Sequence, residues 1–310
     1  MAEPHLLVGG YCPGQPVGNA PGSLSGLAKG RIAMSFRLAV VQPMSHRPPE
    51  DDKNVADAVV HIEDAAARGA DIVVFPETYP GPWRMPAAFD PNQAMLDAAK
   101  GAGVYVVYGT LEPIDDRERT AYNLIMLAGP DGGKPGKYRR TLPPGPWIYN
   151  SGNPWDFVYV AGDEYPVFDT PFGKIGLGMC SEVYMPEVSR ALALRGAEMI
   201  ILPAGSDKRK LWATWRNLIW ARATENLAAV VTTQNIFGTE KGLAMVALPE
   251  EIILESSRSG VFLVDVDLER VRELRSGRDA AGSSLEFGAK SGVLSQWQRP
   301  DMYDKFYPRA

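Results

Sequence analysis

The sequence predicts an α/β fold built from two similar halves that pack sheet against sheet. Apolar residues at helical spacing alternate with short, continuously apolar runs, a pattern typical of helices that cover strands buried on both faces. The segment Arg68–Pro76 (RGADIVVFP) also recurs as Arg195–Pro203 (RGAEMIILP), each time after an alanine-rich stretch. Two copies of a helix followed by a strand indicate two similar sheets that bury their faces against each other.

The first half begins with a predicted strand over residues 36–41 and a helix that starts at Asp51. Gly69 marks the end of this helix, and its apolar positions follow helical spacing: Val55, Ala58, Val59, Ile62, Ala65 and Ala66. Residues 72–75 (IVVF) predict a strand buried on both faces. Further strands are predicted at residues 104–108 and 122–128, and the basic run at residues 137–140 is an extended segment. The proline- and tryptophan-rich residues 142–157 indicate an ordered surface loop.

The second half begins with a predicted hairpin that leads directly to Cys180. Residues 167–169 and 174–179 form its strands, and Thr170–Gly173 (TPFG) forms its turn. Pro186 is well placed as the first residue of the next helix. Residues 209–224 predict another helix. The remaining strand candidates are residues 230–233, 243–247, 252–254 and 261–266.

Composition excludes several classes of protein. The 310 residues carry a formal net charge of −5, so no basic excess favours binding to nucleic acid or anionic lipid. With 45% apolar and 22% charged residues the chain is an ordinary globular protein, and its apolar runs are too short to span a membrane. Two cysteines and three scattered histidines support neither a disulfide framework nor a metal site. We therefore expect a soluble, cytoplasmic protein.

Residues 1–33 differ from the rest of the chain. They are rich in glycine and proline and contain three charged side chains and no periodic apolar pattern. They also lack the basic start and the apolar core of a signal peptide. We predict a flexible N-terminal extension over residues 1–33, followed by one domain over residues 34–310.

Cys180 is the first candidate for chemistry. It lies between a predicted strand and a predicted helix, where the backbone N–H groups that follow can stabilise a thiolate or an oxyanion. The alternative is a buried structural cysteine, because cysteine is among the residues most often found inside proteins.

Glu77 is the best candidate for the base that a cysteine nucleophile needs, since no histidine is suitably placed. It follows the buried strand at residues 72–75, and active sites of α/β proteins collect at the carboxyl ends of strands. The alternative is a solvated loop glutamate. The basic run 137–140 is either a source of positive charge for the site or an exposed strand end.

Three segments taken together resemble the nitrilase, or carbon–nitrogen hydrolase, superfamily. Its pattern is a glutamate after Phe-Pro, a lysine after Tyr-Arg, and a cysteine followed by an acid and then Pro-Glu. The sequence contains Phe75–Glu77, Tyr138–Arg140 and Cys180–Glu182 with Pro186–Glu187, in the same order. Supporting matches are Gln42 at the end of the first strand, Tyr122–Asn123, Arg222–Asn226 and Arg299–Tyr303.

The resemblance implies a four-layer α-β-β-α sandwich without cofactor or metal, assembled as a homodimer or larger homo-oligomer. It implies hydrolysis of a small amide or carbamoyl compound through a thioester, with release of ammonia or an amine. Cys180 is then the nucleophile and Glu77 the base, while the oxyanion faces Arg140 and the backbone N–H of Ser181. Glu182 is assigned to structure. A nitrile substrate uses the same cysteine chemistry and is an alternative.

The sequence departs from the family pattern in two ways. Arg140 occupies the position of the family's lysine, and a second glutamate that many members carry soon afterwards has no counterpart in residues 141–150. Arginine keeps its charge but cannot carry a proton. We expect Arg140 to be the functional cation and Lys137 to be exposed on the opposite face. The alternative is a catalytically silent binding or scaffold member of the family.

Four aromatic residues near Glu77 and Arg140 are candidates for a substrate pocket: Trp83, Trp147, Tyr149 and Trp155. The alternative is that they pack loops, which is the more common role of such residues.

Overall fold

The computed structural model describes residues 35–133, 136–142, 156–205, 212–276, 291–294 and 298–303. The predicted N-terminal extension lies outside these ranges. Within them, the strands are β1 (Phe36–Gln42), β2 (Ile72–Val74), β3 (Tyr105–Asp115), β4 (Thr120–Ala128), β5 (Gly136–Arg139), β6 (Val158–Tyr159), β7 (Val167–Thr170), β8 (Gly173–Leu177), β9 (Met199–Ile201), β10 (Ala229–Thr232), β11 (Ala244–Ala247), β12 (Ile252–Ser256) and β13 (Gly260–Val266).

The strands form two sheets. The first has the order β13-β1-β2-β3-β4-β5, and β6 pairs with β4. The second has the order β12-β11-β10-β9-β8-β7. In both sheets the central strands are parallel, as in β1-β2-β3 and β8-β9-β10, and antiparallel strands flank them. Each half of the chain contributes most of one sheet.

Helices cover the outer face of each sheet. They are α1 (Lys53–Ala67) and α2 (Asn92–Ala102) on the first sheet, and α3 (Pro186–Leu194) and α4 (Trp212–Asn226) on the second. The shorter helices α5 (Glu269–Ser276) and α6 (Pro300–Tyr303), with 3₁₀ turns at Cys180–Tyr184 and Ser291–Val293, follow or connect these elements. No helix in the described ranges has the length and apolar character needed to cross a bilayer.

Three apolar clusters fill the three spaces between these layers. In β1, Leu38 and Val40 point into the cluster between the sheets, whereas Ala39 and Val41 point towards α1 and α2. In β9, Met199 and Ile201 face the same central cluster, and Ile200 faces α3 and α4. Burying one such side chain contributes about 1.5–3 kcal/mol. This arrangement is the expected four-layer α-β-β-α sandwich, which confirms the fold prediction.

The sequence repeat is also a structural repeat. Gly69 and Gly196 end α1 and α3 in left-handed conformations, with φ of 83° and 98°. Their N–H groups bond the carbonyl oxygens of Ala66 and Ala193 at 2.8 and 2.9 Å. The strands that follow, β2 and β9, are fully buried. The duplicated sequence therefore builds equivalent helix-to-strand junctions in the two sheets.

Some elements differ from the sequence predictions. Helices α2 and α5 are absent from the sequence predictions, and each buries only two side chains against the protein, Met95 and Ala99 in α2 and Val271 and Leu274 in α5. Strands β3 and β4 are longer than predicted, because their antiparallel pairing extends beyond the apolar positions to Asp115 and Thr120.

Candidate active site

The ends of the two repeat copies lie next to the two residues expected to carry out the chemistry, Glu77 and Cys180. The second copy ends at Pro203, whose carbonyl oxygen accepts the N–H of Cys180 at 2.8 Å. The next carbonyl, that of Ala204, accepts the N–H of Glu77 at 3.3 Å. Two consecutive peptide groups at the carboxyl end of β9 thus hold the backbones of both candidate catalytic residues. Glu77 from one half and Cys180 from the other are therefore held by neighbouring peptide groups of one strand end.

Cys180 lies in a strained turn. It opens the 3₁₀ turn Cys180–Tyr184 between β8 and α3, and α3 begins at Pro186 as predicted. Its φ is 51°, in the left-handed region that non-glycine residues rarely adopt. Such strain is concentrated at functional sites, where the surrounding structure enforces it. The residue as a whole is half-buried.

Glu77 is almost completely buried, with 3% of its surface exposed. Its Oε1 accepts hydrogen bonds from Arg140 Nη1 at 2.9 Å and from Asn123 Nδ2 at 3.1 Å. Its carbonyl oxygen accepts Asn235 Nδ2 at 2.9 Å. The glutamate is therefore fixed through both its carboxylate and its backbone, unlike a solvated loop residue.

Arg140 links Glu77 to the cysteine turn. Its three donor groups reach three different acceptors: Nη1 bonds Glu77 Oε1, Nη2 bonds Ser181 Oγ at 2.6 Å, and Nε bonds the carbonyl oxygen of Leu142 at 3.0 Å. The side chain is 1% exposed. Burial opposes its charge, but the Glu77 carboxylate and then Cys180 outweigh burial and raise the pKa of Arg140 above its ordinary value. The guanidinium is a fixed positive charge beside the thiol.

Lys137 lies on the other face of β5. Its Nζ pairs with Glu112 Oε1 at 2.8 Å, and 44% of the lysine side chain is exposed. Arg139 pairs with the same carboxylate at 2.8 Å. Because side chains alternate along a strand, Tyr138 and Arg140 point inward and Lys137 and Arg139 outward. The structure thus brings Arg140 to Glu77 and Ser181 and leaves Lys137 at the surface.

Two residues that support Glu77 had no role assigned from the sequence. Asn123 bridges the site, since its Nδ2 donates to Glu77 and its Oδ1 accepts Thr78 Oγ1 at 2.9 Å. Gly109 in β3 lies against the backbone of Thr78, and a Cβ there would come within 2.1 Å of the Thr78 nitrogen. Asn123 appeared among the motif matches. No local signal marked Gly109, because its neighbour comes from a different part of the chain.

The structure places Trp83 in the core. It has no exposed surface, its Nε1 donates to the carbonyl oxygen of Thr78, and its ring meets Phe237 edge-on with 5.2 Å between centroids. Its indole N–H therefore holds the backbone of the residue that follows Glu77. Trp147, Tyr149 and Trp155 lie outside the described residues. Within those residues no group of three histidine, cysteine or acidic side chains is arranged to hold a metal ion.

Comparison with known proteins identifies the family. The sequence model of the carbon–nitrogen hydrolase family matches residues 37–276. The chain belongs to the carbon–nitrogen hydrolase family. The omega-amidase NIT2 of Homo sapiens is 27% identical over 264 residues, which cover 78% of this chain and 92% of the relative. A nitrilase of Pyrococcus abyssi is 30% identical over 260 residues, which cover 77% and 92% of the two chains. The prediction of a carbon–nitrogen hydrolase enzyme is confirmed.

Solved structures show the same fold. A mutant of the amidase from Nesterenkonia sp. AN1, with the acetamide moiety of fluoroacetamide added covalently at its active-site cysteine, superimposes with a TM-score of 0.71. The two chains share 20% identity, and the match covers 91% of this chain and 100% of the amidase. Nit3 of Saccharomyces cerevisiae gives a TM-score of 0.67 at 20% identity, covering 80% and 96% of the two chains.

Proposed function

We propose that this enzyme hydrolyses a small linear amide through a thioester on Cys180 and releases ammonia. The observation that carries the proposal is the buried Glu77–Arg140 ion pair at 2.9 Å, joined to the cysteine turn through Ser181. A carboxylate, a fixed cation and a half-buried cysteine at one site are the groups that cysteine-dependent acyl transfer needs.

In the first half of the reaction, Glu77 accepts the thiol proton and the Cys180 sulfur attacks the amide carbon. The carbonyl oxygen becomes an oxyanion that faces the guanidinium of Arg140 and the backbone N–H of Ser181. This N–H lies in the first turn of the 3₁₀ segment, where N–H groups have no partner within the helix. As the intermediate collapses, the C–N bond breaks and Glu77 passes its proton to the leaving nitrogen, which departs as ammonia.

In the second half, water attacks the thioester carbon while Glu77 accepts one of its protons. The C–S bond then breaks, the carboxylic acid leaves, and the proton on Glu77 returns to the sulfur. Arg140 takes no proton at any step, because a guanidinium stays charged throughout the working pH range. Glu77 therefore handles every proton, and Arg140 contributes only charge and position.

An amide substrate is supported by the relatives, which include an omega-amidase and a structurally similar amidase. A carbamoyl compound presents the same carbonyl carbon to the sulfur. A nitrile is the second candidate, because one relative is a nitrilase and the attack on carbon is the same. The homo-oligomeric state and the cytoplasmic location stay predictions of the sequence.

Ammonia release from a panel of linear amides, carbamoyl compounds and nitriles tests the proposal. Cys180→Ala should abolish turnover with an unchanged melting temperature. Glu77→Gln should also abolish steady-state turnover, since an amide side chain cannot accept the thiol proton. Lys137→Ala is the matched control and should retain parental turnover. Hydrolysis by Cys180→Ala at the parental rate would refute the mechanism, and a parent inert on the whole panel would refute the proposed function.

A further inference from the structure

We propose that Glu182 is a positioning residue that fixes the Arg140 segment against the Cys180 turn and so sets the place of the positive charge. The inference rests on the proposed function, in which Arg140 faces the oxyanion. The inference is based on the hydrogen bonds that the Glu182 carboxylate accepts. No step of the proposed mechanism uses this carboxylate. Glu182 has no exposed surface, so water cannot replace these bonds.

One carboxylate oxygen holds the cysteine turn. Glu182 Oε2 accepts the N–H of Met179, the residue before Cys180, at 2.8 Å. The N–H of Glu182 bonds the carbonyl oxygen of Met179 at 3.0 Å. These two bonds close a short ring around Cys180 and Ser181. The side chain of Glu182 is thus rigidly attached to the turn that carries the thiol.

The other oxygen holds the segment that carries Arg140. Glu182 Oε1 accepts the N–H and Oγ1 of Thr141 at 3.1 and 2.9 Å, the N–H of Leu142 at 3.0 Å, and the hydroxyl of Tyr138 at 2.6 Å. These donors flank Arg140 on both sides in sequence. Burial and the Glu182 carboxylate raise the pKa of Tyr138, so its hydroxyl stays protonated and remains a donor.

Arg140 completes a closed loop of contacts. Its Nε bonds the carbonyl oxygen of Leu142, whose N–H bonds Glu182, and its Nη2 bonds Ser181, which precedes Glu182 in the chain. The place of the guanidinium relative to the sulfur therefore depends on Glu182. Arginine makes such control more demanding than lysine, because a planar fork must satisfy three acceptors at once.

Glu182→Gln tests the inference. An amide can replace only one carboxylate oxygen, so its NH₂ group must face either Met179 N–H or the donors around Thr141. A shift of about 1 Å in a positioned group costs about 10²-fold in rate. We expect kcat to fall by at least about tenfold with KM within about threefold, because a positioned charge acts mainly in the transition state.

The alkylation rate of Cys180 gives a second readout. Its pH profile shifts in one direction if Glu182→Gln displaces Arg140 and in the other if the variant only removes a negative charge near the thiol. Removing a nearby negative charge, with Arg140 unmoved, should favour the thiolate and shift the pH profile of alkylation downward. Displacing Arg140 should shift the profile upward and slow alkylation at neutral pH. We expect the upward shift, measured with iodoacetamide and mass spectrometry of the Cys180 peptide. An unchanged or downward profile overturns the inference.

Two further variants make the result specific. In an Arg140→Ala background, Glu182→Gln should lower kcat by less than about threefold, since residues that act as a unit are not additive. Fully multiplicative losses overturn the inference. Glu198→Gln is the control for stability: it alters a carboxylate that bonds Arg272 and the Lys174 N–H, away from Arg140, and should leave kcat and alkylation unchanged.

Thr141→Val is the replacement test of the inference if Glu182→Gln does not fold. It removes one donor at 2.9 Å and keeps the carboxylate. The same hydroxyl also contacts Tyr138 and Tyr165, each at 3.2 Å, so its removal loosens the Arg140 segment further. We expect a fall in kcat of about two- to tenfold and a small upward shift of the alkylation profile. Parental values overturn the inference. If the parent hydrolyses no substrate, the proposed function fails, whereas alkylation still decides whether Glu182 positions Arg140.

Discussion

Arg140→Ala removes the charge at the centre of the candidate site. The side chain is 1% exposed, and its partner Glu77 is 4% exposed at the side chain. Three acceptors each lose one donor at once: Glu77 Oε1, Ser181 Oγ and the carbonyl oxygen of Leu142. The variant therefore leaves a buried carboxylate without its cation, held only by Asn123 Nδ2 among the side-chain contacts described above.

The expected losses in stability and in rate are separate quantities. Breaking a buried ion pair by deleting one partner costs about 3–5 kcal/mol. At about 2–4 °C for each kcal/mol in a domain of this size, the melting temperature should fall by about 6–20 °C. Loss of one preorganised donor to the oxyanion should lower kcat by about 10²- to 10³-fold.

Two variants separate charge from geometry. Arg140→Lys keeps the charge and can pair with Glu77, but one ammonium does not reproduce the fork that also reaches Ser181 and Leu142. Its kcat should fall less than that of Arg140→Ala. Arg139→Ala is the matched control, because this neighbour points outward to Glu112 with 37% of its side chain exposed. A surface pair of this kind contributes about 0–1 kcal/mol, and turnover should be unchanged.

The assay is steady-state ammonia release from one working amide, at a temperature where melting curves show each variant to be folded. Parental kcat in Arg140→Ala would refute the assignment of the cation. Equal losses in Arg140→Ala and Arg139→Ala would show that the effect comes from the strand rather than from the buried charge.

Two further predictions concern the scaffold. Gly109→Ala should lower kcat by about 10²-fold, because the new Cβ at 2.1 Å from the Thr78 nitrogen must displace the Glu77 loop by about 1 Å. Parental activity in steady-state ammonia release would show that the loop accommodates the Cβ without displacing Glu77. Hydrogen bonds from Arg139, opposed by partial burial and aided by Lys137, lower the pKa of Glu112 to about 2. The stability that this lowered pKa provides is present above the unfolded pKa of about 4.5 and is lost as the pH falls towards 2. The parent should therefore exceed Glu112→Gln in unfolding free energy by about 1 kcal/mol or less above this window, and the difference should vanish within it. Urea titrations at several pH values measure the difference, and a value that stays constant with pH would contradict the pairing.

Local sequence determined the elements that bury a broad apolar surface. The runs at residues 72–75 and 199–202 could be assigned as buried strands because every position in them is apolar, and the repeated Arg-Gly-Ala junction predicted two equivalent halves. The alternation along the extended residues 137–140 placed Arg140 and Lys137 on opposite faces, as the structure shows. In contrast, α2 and α5 each bury only two side chains, and neither was predicted from the sequence.

Only the tertiary structure decided which distant groups complete the site. The carbonyl oxygens of Pro203 and Ala204 reach Cys180 and Glu77 because the two sheets pack face to face, and no local pattern encodes that contact. The roles of Gly109 and Glu182 also depend on contacts that no local sequence pattern encodes. The space available to Gly109 is set by Thr78, and the five hydrogen bonds accepted by Glu182 come from Met179 and from a segment about 40 residues earlier. Sequence thus specified the residue types and the strands that they follow, while sheet packing specified the distances between them.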